Sequence, residues 1–559
     1  MKSQWLPYVF FLCLIIAVRP VFALQNSENK NSIKSQSLTA YKVPVVMQTD
    51  RFKMKVNGKP LQVGLATQMI YYSNFDFSGK VEITVTATNP HYWDSGVIIS
   101  PMVRRIYPNV KGGTLTFTLT SPGKFTIERP GNRKTHSQGG GLDTMLCVFA
   151  NSPEINVPKP TDTNVIYLGP GVHEQNIDLK SNQTLYVHGN AVLKGSVNVW
   201  DAQNVKICGR GVILFSDPKV TKCMTIEGSE DKNTRPLTSS NAENLSIDGV
   251  ILITKAVRWQ VLLISSPNAS FNNVKLIGFQ ENQTDDSCID GIDFKGKGLT
   301  INDCFLRCGD NVFGTWGSKI TITNCYCWTR WANVSMIAWG WSNSSSDLTI
   351  KNCDIVHLDD GRYGTCLGLY QNWAPEGGHN NNVLFEDLRC ENLGSICGIN
   401  NGGKITNHTF RNIWLMSPPT SDHSDLISNG TGSIDSIVFE KIRYVNTIVT
   451  TPEAANITVK GNVKYRFYAD SRTGEPTAIM KTTTTNTMTF SGADSYDPDG
   501  GKIVSYQWDF GDGESATGET VTHSYKKTGS YRAFLTVVDN DGKTDMTTLE
   551  LSHINSTKK

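Results

Sequence analysis

The stretch "LTINDCFLRCGDNVFGTWGSKITITNCYC", Leu299 to Cys327, holds one short phrase twice, and a third copy, "LTIKNCDI", begins at Leu348. Within each copy apolar and polar residues alternate, as a half-buried strand requires. The third position of the phrase falls at Ile301, Ile322 and Ile350, separated by 21 and 28 residues. Weaker copies read "NVKICGRGVI" from 204, "NLSIDGVILI" from 244, "NVKLIGF" from 273, "VLFEDLRC" from 383 and "IVFEKIRY" from 437. Self-similarity at 20 to 30 residues, punctuated by Gly and Asn and without a helical period, indicates a solenoid. The fold expected for residues 160–465 is a right-handed parallel β-helix. A propeller or a sandwich would not repeat its inward positions with every strand phrase.

Stacked rungs bring equivalent positions to about one strand spacing, ~4.8 Å. Cys304, Cys325 and Cys353 are therefore expected to form an inward ladder, and Asn324 and Asn352 to share side-chain amide bonds at a corner. Thirteen cysteines then do not imply a disulfide framework. Two bridges or fewer are expected.

Segments on either side read differently. Between residues 38 and 158, "KVEITVTAT" and "GTLTFTLTSPGKFTIE" alternate in strand fashion between Gly, Pro and Asn turns, which indicates an antiparallel β-sandwich. The start, "MKSQWLPYVFFLCLIIAVRPVFALQN", has one early Lys, an apolar run from Tyr8 to Val18 and small residues before a cut after Ala23. It is read as a signal peptide over 1–23, its apolar run shorter than the ~20 residues of a membrane span. The expected destination is secreted, periplasmic or cell-surface. Lys and Arg number 53 against 51 Asp and Glu, a net charge of +2 that gives no reason to expect nucleic acid or an anionic membrane as partner.

Chemistry is expected where the rungs bring carboxylates together. Asp290 lies 11 residues before Ile301 and Asn311 lies 11 before Ile322, which places them in register on adjacent rungs, with Asp310 and Asp293 beside them. Like charges gathered in this way raise one another's pKa unless the site neutralises or uses them. Hydrolysis of a glycosidic bond needs such a pair, one acid protonated to serve the leaving oxygen and one ionised to activate water. Inverting enzymes hold the two ~6.5–9.5 Å apart, a span that diagonal positions on neighbouring rungs can meet. The alternative is a set of solvated turn aspartates, since Asp-Gly is a common turn dipeptide.

The sequence around these acids resembles the β-helical glycoside hydrolases of the polygalacturonase clan. Against the clan's Asn-Thr-Asp-Gly-Ile-Asp pattern the chain has Cys288-Ile289-Asp290-Gly291-Ile292-Asp293, and against Gly-Asp-Asp it has Gly309-Asp310-Asn311. The polygalacturonase Gly-His-Gly and Arg-Ile-Lys signatures are absent. Trp331, Asn333 and the apolar run from Met336 to Trp341 look more like family 49, the dextranases and isopullulanases, which also carry a sandwich before the helix. The resemblance covers residues 40–450 and implies that Asp310 is the general acid and that Asp290 belongs to the water-activating group, with Asp293 beside it. Asn311 stands where the family has a second water-activating Asp. Asp290 acting alone, compensation by Asp293 or another acid, and loss of activity are the three consequences left open.

Aromatic faces pack against sugar rings, and of Trp328, Trp331, Trp339 and Trp341 at least two are expected in the core. Trp331 and Trp341 are the cleft candidates; Arg330 is either a substrate contact or half of a surface salt bridge. Tyr363, with Asn372 and Trp373, is expected to form a downstream rim, and Asp359 and Asp360 a loop turn. From 474 to 553, Asp497-Pro498-Asp499-Gly500 and Trp508-Asp509-Phe510-Gly511-Asp512-Gly513 resemble a PKD domain, a small immunoglobulin-like sandwich. Such modules serve as spacers or weak binding accessories.

The leading functional expectation is an exported, metal-free and cofactor-free inverting hydrolase acting on a polysaccharide, with dextran or a pullulan-like α-glucan as first substrate. A clan relative acting on a galactose- or uronate-containing glycan is the nearest alternative. A lyase would need a Lys or Arg base with Ca²⁺, for which Asp285 and Asp286 are candidate ligands, but no basic residue is embedded among the acids. The remaining alternative is a catalytically inactive glycan-binding protein.

Overall fold

The structure is a computed structural model and describes residues 37–554 apart from 68, 134–143, 217–231, 256–258, 279–287, 331, 338–343, 359–367, 420–423 and 485–487. The repeated phrases form a right-handed parallel β-helix whose strands run from Val165 to Tyr468. Each rung contributes to three faces. The first and second faces join in one 21-stranded sheet and the third is a separate sheet of 11 strands, every rung-to-rung pairing between these stacked faces being parallel. Ile301 pairs with Ile322 and Ile322 with Ile350, the register expected from the phrase.

Alternation decides what each strand buries. Inward residues such as Ile301, Ile322, Ile350, Phe385 and Phe410 fill a continuous apolar core, and Phe385, Phe410, Phe439 and Phe467 stack ring on ring at 5.1, 5.2 and 4.5 Å. Cys304, Cys325 and Cys353 lie in the same interior as free thiols. Each donates to the backbone carbonyl two residues earlier, at 3.2 to 3.3 Å. Nine of the thirteen cysteines are free and buried, and Cys288 is disulfide-bonded, so at most two bridges can exist.

Asparagine punctuates the corners for a conformational reason. Asp303, Asn324, Asn352, Asp387 and Asn412 occupy one corner with φ between 51° and 58°, the left-handed region in which a short polar side chain is best tolerated. Asn352 donates to Asn324 Oδ1 at 2.6 Å, Asn324 to Asn302 Oδ1 at 2.7 Å, and Asn412 to Asp387 Oδ1 at 2.8 Å. The amide sharing expected of Asn324 and Asn352 is present.

The N-terminal region is a two-sheet sandwich. Its outer sheet alternates buried and exposed residues along Phe52–Val56 and Val81–Ala87. The inner sheet, with Ile70–Phe77, Gly123–Glu128 and Met145–Asn151, is buried on both sides. One side faces the outer sheet. The other, through Ile70, Tyr72, Cys147 and Phe149, packs on outward residues of the second face, among them Val192, Val212, Ile251, Phe305 and Trp328. Pairing is antiparallel except between Ile70–Phe77 and Met145–Asn151, which run parallel because the chain crosses the other sheet before returning. An immunoglobulin-like C-terminal module rests on the last rungs, and Trp414 and Met416 of the helix pack with its Phe534 and Met546.

Candidate active site

The acids sit where the second face turns into the third. Asp290 precedes strand Ile292–Lys295, and Asp310 and Asn311 lie between strands Phe305–Cys308 and Phe313–Thr315. Gly291 donates its N–H to Asn311 O at 2.9 Å and Val312 donates to Asn333 O at 2.9 Å, so Asp290, Asn311 and Asn333 occupy one column on three successive rungs. The register expected for Asp290 and Asn311 is the one observed.

Asn311 is the centre of the arrangement. Its Oδ1 accepts from the backbone N–H of Asn333 at 3.3 Å, and a backbone N–H can only donate, so the amide nitrogen must face the acids. That nitrogen donates to Asp290 Oδ1 at 3.1 Å and to Asp310 Oδ1 at 2.8 Å. Two oxygens bound to one nitrogen can be no more than about 6 Å apart, so the pair faces one small volume, as two groups acting on a single glycosidic bond require.

Asp310 accepts two further hydrogen bonds, from its neighbour's backbone N–H at 2.8 Å and, on Oδ2, from Cys288 N at 2.8 Å. Asp290 is 2 % exposed, and its Oδ2 has no hydrogen-bond partner. All three acids are held above the ordinary carboxylate range, chiefly by burial. For Asp290 the charges of Asp310 and Asp293 add to the rise. For Asp310 the backbone N–H donors of Cys288 and Asn311 oppose it.

Asp293 projects outward from the third face, since its neighbours Ile292 and Phe294 both point into the core. It is nonetheless fully buried, and neither carboxylate oxygen has a hydrogen-bond partner. Gly314 is its partner on the next rung. A Cβ on Gly314 would lie 2.2 Å from Asp293 Oδ1 and 2.4 Å from the Trp316 ring, so the missing side chain is what admits both groups. Fully buried Arg235 supplies the positive charge that opposes the rise at Asp293.

Other expected residues fall out unevenly. Arg330 lies just after strand Tyr326–Thr329 and is 9 % exposed. Trp328 is structural: it stacks on His357 at 4.7 Å, with Arg307 4.5 Å from its ring, under the sandwich. Asn372 is buried and donates to the Tyr370 hydroxyl at 2.6 Å, while Trp373 packs beside the site. Trp331, Trp339, Trp341, Tyr363, Asp285, Asp286, Asp359 and Asp360 lie outside the described residues.

The aromatic patch that the structure does describe next to Asp293 combines Leu262, Ile264, Trp316 and Met336 with partly buried Trp259 and Trp373. Trp259 and Trp316 were not among the sequence candidates. Counting two residues on from Gly314, the rung partner of Asp293, puts Trp316 on the same outward face, and that alternation was the available signal.

Fold and site together define a β-helix protein with a buried cluster of acids at one edge of its third face. Residues 474–552 match the PKD domain family. Over 376 residues the chain is 24% identical to the dextranase of Arthrobacter sp. (strain CB-8), a match covering 57% of this chain and 56% of the dextranase. The PKD region is 44% identical over 72 residues to collagenase ColA of Clostridium perfringens, covering 12% of this chain and 6% of the collagenase. The chain thus spans about half of the dextranase and a small part of the collagenase. Among solved structures, Dex49A from Penicillium minioluteum superposes with a TM-score of 0.58 at 15% identity, covering 77% of this chain and 96% of that one. The chain is similar to β-helical glycoside hydrolases of the family 49 type and ends in a PKD domain.

Proposed function

We propose that this protein is an exported glycoside hydrolase that cleaves a polysaccharide, with Asp290 and Asp310 as its acid–base pair and Asp293 as a supporting acid. The observation that carries the reading is the pair of carboxylates held against one Asn311 amide inside a buried cluster of three acids. One member gives its proton to the leaving glycosidic oxygen. The other takes a proton from the water whose oxygen bonds to the anomeric carbon. The resemblance casts Asp310 as the acid; the chemistry is met as long as one member is protonated and the other ionised.

The dextranase relative makes an α-glucan such as dextran the first substrate to test. Inversion at the anomeric carbon is taken from the family 49 resemblance. Trp259, Trp316 and Trp373 supply apolar surface beside the acids, in keeping with a sugar substrate. Among the described residues no group of three or more His, Cys, Asp or Glu is placed to hold a metal ion, and no helix is long and apolar enough to cross a membrane.

Incubation with dextran, pullulan and pectins, followed by reducing-end assay and NMR of the anomeric protons, tests the proposal. New reducing ends of inverted configuration are expected from an α-glucan. Release from a galactose- or uronate-containing glycan would move the substrate assignment within the clan. A 4,5-unsaturated product would make the protein a lyase, and no new ends from any glycan would favour binding without hydrolysis.

A further inference from the structure

Three rungs before Asp290, the same corner of the helix borders a cavity of about 560 Å³, within the size range of ligand pockets. The register fixes its place. Val197, Leu237, Val261 and Ile292 pair in succession on the third face, and the positions two residues before them hold Gly195, Arg235, Trp259 and Asp290. Gly195 lines the cavity, so three steps of ~4.8 Å put it ~14 Å from Asp290 along the corner. Trp259 stands between them.

The lining combines apolar surface with hydrogen-bonding groups, as recognition of a sugar requires. Val46, in the short turn Val45–Met47, contributes a side chain that is 55 % exposed, and Phe215 at the end of strand Val212–Phe215 lies beside it on the cavity wall. The polar members are Glu174, Asn176, Lys194 and Asn233.

The rungs orient both amides. Ser196 donates its backbone N–H to Asn176 Oδ1 at 2.9 Å, so the Asn176 NH₂ points elsewhere. The backbone N–H of Asn233 donates to Asn198 Oδ1 at 3.2 Å, and the Asn198 nitrogen in turn donates to Asn233 Oδ1 at 2.8 Å. Neither the Asn176 nor the Asn233 NH₂ has an acceptor among the described residues, and each can donate to a hydroxyl oxygen. Lys194 meets Glu174 at 2.8 Å, with side chains 35 % and 69 % exposed. Ions so exposed gain little from each other and can exchange partners for ligand hydroxyls. The pair offers donors and acceptors without net charge.

We infer that this cavity is a remote subsite for a neutral oligosaccharide segment, part of the same polysaccharide chain whose scissile bond lies at Asp290 and Asp310. Trp259 lies on the path between the two. The identity of the occupant as substrate rests on the hydrolase reading; the capacity of the cavity to hold a neutral sugar does not. Lys255 also borders the cavity, which makes an anionic sugar the competing occupant.

The test is calorimetric titration of the Asp310→Asn protein with dextran trimers, dextran hexamers and oligogalacturonates of the same lengths. The hexamer reaches from the acids to the cavity and is expected to bind more tightly than the trimer. Asn233→Gly, which suits the left-handed backbone at φ 62°, and Lys194→Met are each expected to weaken the hexamer about threefold to tenfold and to narrow its advantage over the trimer. The inference is overturned if both variants bind the hexamer as the parent does, if oligogalacturonates bind more tightly than glucans, or if no glucan binds. Weakened hexamer binding in a protein that cuts no glycan would keep the subsite and sink the hydrolase reading. Dextran cleavage by a protein whose variants bind the hexamer unchanged would do the reverse.

Discussion

Asn311 donates to two acids and accepts from Asn333, and each contact predicts a different consequence of substitution. Asn311→Asp places a carboxylate where a donor stood. We expect a loss of activity at neutral pH and an optimum displaced to higher pH, because a third carboxylate raises the pKa of both aspartates and the water-activating one stays protonated further up; pH–rate profiles of the two proteins measure this. Asp310→Asn is expected to abolish hydrolysis while leaving the circular dichroism spectrum and melting temperature near those of the parent. Asp293 makes a contrasting case. Its pKa is raised in the folded protein, so the folded state holds a proton that the unfolded chain releases above ~4, and stability falls as pH rises from there toward the folded value. Asp293→Asn removes that dependence. Its melting temperature is expected to exceed the parent's by several degrees at pH 7 and to converge with it near pH 4.

The corners and ladders of the helix belong to the scale of the element. At Asn324 the backbone is left-handed, with φ 58°, and the side chain links Asn302 below to Asn352 above. Asn324→Ala loses the amide links and meets the left-handed penalty, roughly 1–2 kcal/mol together. Asn324→Gly loses only the links and is expected to be less destabilised, a difference that denaturant unfolding of the two variants measures. Gly314 is the corresponding position on the third face. Its Cβ would strike the Asp293 carboxylate and the Trp316 ring, both of which are buried, so Gly314→Ala disturbs the acid cluster without adding or removing a charge.

At the scale of the molecule, the β-helix packs against two companions. The sandwich covers the apolar outer surface of the second face, which explains why strands such as Ile251–Thr254 are buried on both sides. The PKD domain is docked through a buried ion cluster: Asp545 meets Lys441 at 3.2 Å and Arg443 at 2.5 Å, and all three side chains are 8 % exposed or less. Arg105 of the sandwich also reaches Thr536 of the PKD domain at 2.7 Å. A module held in this way is part of the fold and not a swinging spacer. Asp545→Ala leaves two cations buried without their anion, a change that typically costs about 3–5 kcal/mol. The expected result is separate melting of the PKD domain by calorimetry and faster proteolysis between it and the helix. Because Asp545 has a lowered pKa in the fold, its contribution is present above ~4 and is lost as pH falls through the folded value.

Period and alternation alone determined the solenoid, the register of Asp290 with Asn311, the thiol ladder and the Asn corner, because each follows from strand spacing and side-chain direction within one short phrase. The neighbours of the acids were less legible. Trp259, Arg235 and Asn333 come from other rungs, and only the stacking of insertions of unequal length brings them to the same edge. The tertiary structure alone decided that Asn311 turns its nitrogen to the acids. That orientation depends on a backbone N–H one rung away, a donor that has no signature in the residue type.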